Sequence, residues 1–83
     1  MKVLGTATVL AAASTKFTTS TSVYVFNTDS SAGVLTVRNA SDDADIGTVY
    51  IGAGQGLEIS LELGQGLRGT TSMYGTQVAS TGY

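Results

Sequence analysis

Residues 52–67 read GAGQGLEISLELGQGL, a strand-length segment held between two copies of Gly-Gln-Gly-Leu at a spacing of ten residues. Between the glycines, Leu57, Ile59, Leu61 and Leu63 alternate with Glu58, Ser60 and Glu62. Strict alternation puts the leucine and isoleucine side chains on one face of an extended chain and the carboxylates on the other. An amphipathic helix would need apolar residues three as well as four apart, and a period of two gives no spacing of three. The glycines therefore do not make a nucleotide loop. A dinucleotide fingerprint needs a helix opening within its glycines, and a phosphate loop of the Walker type needs Gly-Lys-Ser/Thr. We read them as punctuation instead. Gly52, Gly54 and Gly56 permit positive φ on the way into the strand, Gly64 and Gly66 on the way out, and Gly69 marks the start of the last strand. With two copies and unlike flanks, the spacing is strand plus turn and not a solenoid period.

The same logic extends to both ends of the chain. Thirteen threonines, no proline and no long helix-forming run give an all-β reading, a small antiparallel sandwich or barrel of six to seven short strands. The predicted strands are 3–10, 22–28, 33–39, 46–52, 57–63 and 70–79, the last with a bend at Gly75. Residues 9–14, VLAAAS, are long enough for one helical turn at most. The segments NTDSSAG (27–33) and NASDDADIG (39–47) carry turn residues and are expected to be hairpin loops. Residues 1–83 form one β domain on this reading, with 1–10 an extended arm or edge strand.

Two strands differ from 57–63. In SVYVFNT (22–28), Val23 and Val25 face one way and Tyr24 and Phe26 the other, and in 46–52 Val49 and Ile51 oppose Tyr50. A chain of 83 residues buries a thin core, so a strand that is apolar on both sides is expected to meet another chain on one of them. With neither Cys nor His, disulfides and Cys/His metal sites are excluded as staples, and oligomerisation is the remaining device.

Composition also limits function. Four cations, Lys2, Lys16, Arg38 and Arg68, are too few and too scattered to bind nucleic acid through its phosphates, and the net charge is -2. No segment approaches the roughly 20 apolar residues of a membrane helix. The N-terminal MKVLGTATVLAAAS superficially matches a secretory signal, but Gly5, Thr6 and Thr8 interrupt its apolar run. A Ser or Thr nucleophile would have only a lysine as base, in no recognisable motif, and no catalytic residue is assigned. Glu58 and Glu62 lie four residues apart on one strand, about 13 Å along the backbone, too far for a glycosidase pair. Asp42, Asp43 and Asp45 are the best cation candidates, but the loop lacks the spacing and distal Glu of a calcium loop. No cofactor and no metal site is assigned.

Taken in order, GTATVLAA, SVYVFNT, VLTVRNA, DIGTVYIGAGQGLEISLE and YGTQVA resemble, over nearly the whole chain, a group of short β-rich virion proteins of tailed bacteriophages. The resemblance implies a capsid decoration or cement protein in the virion, made in the host cytoplasm, forming a homotrimer on the major capsid protein. A neck, tail or fibre-associated location is the alternative. Such proteins often carry a lysine-rich turn after the amphipathic strand, and here ELGQGLRG stands in its place. A small carbohydrate-binding module stacking sugars on Tyr50 and Tyr74 is a reading from a different class. The contact residues expected on the adhesive reading are Leu4, Val9, Leu10, Tyr24, Phe26, Arg38, Tyr50, Arg68 and Tyr74.

Overall fold

A computed structural model describes residues 2–11, 13–18, 21–70 and 72–79. Among them are nine short strands and no helix: β1 (Lys2–Val3), β2 (Thr8–Leu10), β3 (Thr15–Lys16), β4 (Ser22–Asn27), β5 (Gly33–Arg38), β6 (Asp45–Ile51), β7 (Gly56–Ser60), β8 (Gly66–Gly69) and β9 (Met73–Ala79). They form two antiparallel sheets. Sheet A runs β1-β9-β4-β7, with β2 also on β9, and sheet B runs β3-β8-β5-β6. The short axis of 17 Å suits two layers spaced about 10 Å apart. The all-β sandwich expectation is thus met, with more strands than the sequence pattern resolved.

Between the sheets, Leu10, Val23, Val25, Leu35, Ile51, Leu67 and Met73 are almost fully buried and, with Phe17 and Leu61, make one core. The first seven come from inward positions of their strands, and Phe17 and Leu61 directly follow β3 and β7. Leu57 and Ile59 point inward from β7, as the alternation requires, and Glu58 and Ser60 point outward.

Several expectations need correction. The N-terminal strand is two pieces, β1 and β2. The segment 27–33 is no hairpin: it carries the chain from β4 in sheet A to β5 in sheet B. The loop after Arg38 is one, joining β5 to β6. After β6 the chain crosses back at every connection, B to A into β7, A to B into β8, and B to A into β9. Strand β7 ends at Ser60, so Leu61 still reaches the core, whereas Leu63 falls in the following turn and is 60% exposed.

The Gly-Gln-Gly-Leu repeat has a common structure. Gln55 N–H donates to Gly52 O at 3.1 Å, and Gln65 N–H donates to Glu62 O at 3.1 Å. In each four-residue turn the third residue is a glycine at positive φ, Gly54 at 69° and Gly64 at 90°. That position of a type II turn favours glycine. Gly52, Gly56, Gly66 and Gly69 do not have positive φ, and Gly69 ends β8 and does not open β9. The glutamine side chains also fold back alike: Gln65 Oε1 accepts from Glu62 N–H at 2.9 Å, and Gln55 Oε1 lies where a Cβ on Gly52 would be. Two like turns pass the chain into sheet A and out again.

Candidate functional site

The outer face of sheet A is built from alternate residues of four strands. Register pairs Val9 with Tyr74 and Tyr74 with Phe26, a row running across β2, β9 and β4. Tyr24, two residues along β4 from Phe26, lies between Thr76 and Glu58. The row ends at Gly56, opposite Phe26 on β7. A Cβ there would run into the Tyr24 hydroxyl and approach Phe26 Cδ2 to 3.0 Å, so the missing side chain is what lets the two rings share this corner. Val9 is 53% exposed, Tyr74 40% and Phe26 36%, and Glu58 is the one ionisable carboxylate among these neighbours. At the other end of this face Ser22 and its cross-strand partner Val78 are buried, and Val3, paired with Val78 on β1, is 61% exposed apart from the aromatic row.

The outer face of sheet B is polar and internally paired at its Arg38 end, while Tyr50 and Ile46 stand exposed along its β6 edge. Arg38 Nε meets Asp42 Oδ1 at 3.1 Å, its Nη1 is hydrogen-bonded to Asp45, and its Nη2 donates to Asp42 O at 2.9 Å. Arg68 Nη2 reaches Asp45 Oδ2 at 3.3 Å, and Lys16 Nζ donates to Ala40 O at 2.8 Å. Hydrogen bonds from Arg38 hold both carboxyls, Asp42 and Asp45, below the usual range and raise the guanidinium's own pKa. Asp43 is bound to Asn39 Nδ2 at 2.7 Å, and Asp42 takes a positive φ of 58° in the hairpin. The aspartates thus serve the hairpin's own cations and amide. No three His, Cys, Asp or Glu side chains among the described residues converge on a possible metal position.

Of the expected contact residues, Val9, Tyr24, Phe26 and Tyr74 share the sheet A face. Leu4 is exposed after β1, its N–H donating to Gln77 O at 2.8 Å. Leu10 belongs to the core, pairing with Met73 on the inward side of β9, and is not available to a partner. Arg38 and Arg68 come together, but on the chain's own Asp45. Tyr50 is 77% exposed on sheet B, opposite Val34. It therefore cannot form one sugar platform with Tyr74, which is on the other sheet.

Sequence reasoning missed Asn27. This side chain is fully buried, and Nδ2 donates to Ser31 O at 2.9 Å and Ile51 O at 3.0 Å, while Oδ1 accepts from Asp29 N–H at 3.0 Å. Its backbone accepts from Gly54 N–H at 3.0 Å and donates to Gln55 O at 2.9 Å. One amide thus ties the β4–β5 crossing to the β6–β7 crossing. The signal lay in its place at the end of an inward-facing series, Val23, Val25, Asn27.

A cleft of about 760 Å³ opens beside β2, between Val9 to Ala11, Asp29, Thr36, Arg68 to Thr70 and Ser72. Its two charged groups are committed elsewhere, Arg68 to Asp45 and Asp29 Oδ1 to Ser31 N–H at 3.0 Å. No family model, curated protein or solved structure matches the chain.

Proposed function

We propose that the chain is a non-enzymatic structural protein of a phage particle, a capsid decoration or cement protein that adheres through the outer face of sheet A. The observation that carries the adhesive part is the exposed row Val9, Tyr74 and Phe26, backed by Tyr24 and Gly56, on a face nearly free of charge. Aromatic side chains bring large apolar area with few rotatable bonds, which is why they dominate protein contacts. The virion assignment rests on the sequence resemblance, and many copies on one particle would turn a weak single contact into firm attachment.

The double variant Phe26→Ser/Tyr74→Ser tests this. Both side chains project outward but are more than half covered, so the variant keeps the wild-type far-UV circular dichroism, melts lower, and is compared with wild type well below its own melting temperature. Its retention on capsids stripped of the protein falls at least about tenfold, the equivalent of 1.4 kcal/mol. Retention equal to wild type would overturn the adhesive role of this face. Wild-type attachment to tails or necks in place of capsids would move the protein to the alternative location.

A further inference from the structure

Strand β6 is the outer edge of sheet B, paired with β5 on one side only among the described residues. At seven residues, DIGTVYI, it is as long as any strand in the molecule. Proteins blunt long edges with Lys, Pro, a β-bulge, an inward charge or a covering loop, because unpaired N–H and C=O groups recruit another strand. Strand β6 carries one of these, a bulge at Ile46 near its start, where the register on β5 shifts between Val37 and Arg38. Residues 46–51 of β6 contain no charge and no proline, and Ile46 and Tyr50 stand 56% and 77% exposed.

The residue order makes this edge complementary to itself. Antiparallel pairing of two identical strands about a two-fold axis must place one residue opposite its own copy. With Thr48, the middle of the strand, on the axis, residues 46–50 find partners, and the bulge leaves Asp45 outside this ladder. Ile46 then faces Tyr50 twice on the outer side, and Gly47 faces Val49 twice on the inner side. The Ile46–Tyr50 pairs, aromatic against β-branched, are among the favourable cross-strand contacts of a sheet. Gly47 has nothing within 4 Å of where its Cβ would be, which leaves room for the opposing valine. Asp45, the one charge in the strand, lies beyond the bulge, opposite Arg38 and away from its own copy, and its carboxylate is already neutralised by Arg38 and Arg68.

We infer that β6 pairs with β6 of a second copy of this chain, joining two copies of sheet B into one continuous sheet across a two-fold axis. The inference deepens the homo-oligomer part of the adhesive reading and specifies dimers where the resemblance implies trimers. It leaves both sheet A faces free for the partner surface.

Mass measurement across a concentration series, with charge pairing at Thr48, tests it. The wild type has the mass of two chains. Thr48→Lys and Thr48→Glu each set like charges face to face on the axis and raise the dissociation constant by about tenfold or more at low salt, so each shifts to one chain. Thr48 is exposed, so both variants keep the far-UV circular dichroism of the wild type. Mixing the two in equal amounts restores the two-chain mass. A wild type of one or three chains, variants that keep the wild-type mass, or a mixture that stays monomeric would each overturn the pairing. Phe26→Ser/Tyr74→Ser keeps the two-chain mass whatever it does on capsids, so the two readings fail separately.

Discussion

The Arg38 end of the sheet B outer face and the Phe26 end of the sheet A outer face obey the same alternation and end up with opposite chemistry. On sheet B the long polar side chains find their partners within the chain: Arg38 takes Asp42 and Asp45, Arg68 takes Asp45, and Lys16 caps Ala40. On sheet A the corresponding positions hold Val9, Tyr74, Phe26 and Tyr24, whose apolar area the chain itself leaves partly open. A face that satisfies itself gains little from a neighbour, because its charges would have to be desolvated again. A face whose apolar area is still wet gains about 25 cal/mol for each Å² covered. The contrast separates the self-satisfied Arg38 end of sheet B from the open row on sheet A, and the exposed Ile46 and Tyr50 of β6 fall on the open side of it.

Both faces depend on the sheets being held in register, and the largest expected effect comes from breaking that link. Asn27→Ala removes the buried amide that serves Ser31 O, Ile51 O and Asp29 N–H. Leaving buried polar groups unpaired costs about 1–3 kcal/mol each, and partial rearrangement of the two crossings recovers some of it. We expect a loss of about 3 kcal/mol in urea unfolding. A loss below about 0.5 kcal/mol would show that the crossings hold without the amide.

Asn27 also marks where sequence reading stops. The alternation in 57–63 and the two-sided apolar character of 22–28 were legible, because each depends only on period two within one strand. Partner choice was not. NTDSSAG and NASDDADIG carry the same turn chemistry, yet the first crosses between sheets and the second closes a hairpin. Local φ/ψ preference is alike in both; what differs is which core residues follow. GLRG, 66–69, looks like a turn by composition and becomes β8 only because Leu35, Thr36, Val37 and Arg38 pair with it. Of the candidate site, the aromatic members were legible and Leu10 was not, since an apolar residue in a short N-terminal strand reads the same whether it faces core or partner.

A smaller effect is expected at Gly56, where the sheet A face is shaped. Gly56→Ala puts a methyl where the Tyr24 hydroxyl lies, and the ring, anchored only at its far end, can swing away. Overpacking of this kind costs about 1 kcal/mol. The signature is a shift in Tyr24 ring resonances with the core methyls of Val23 and Val25 unmoved. Unchanged Tyr24 resonances would mean that the glycine does not set the ring's position.

The smallest effect belongs to sheet B. Arg38→Gln removes the ion pairs that hold Asp42 and Asp45 below their ordinary pKa, and these groups are solvent-exposed, so the melting temperature falls slightly at neutral pH. The sign follows from the depressed carboxyls. A group whose folded pKa is lowered stabilises the fold above its unfolded value, about 3.9 for Asp, and loses that contribution as pH falls through the folded value. The gap between wild type and Arg38→Gln is therefore present at pH 7 and closes below about pH 4, and added salt narrows it at either pH. A gap that persists undiminished in acid would show that Arg38 acts through its Nη2 contact to Asp42 O and the packing of its stem, and not through charge.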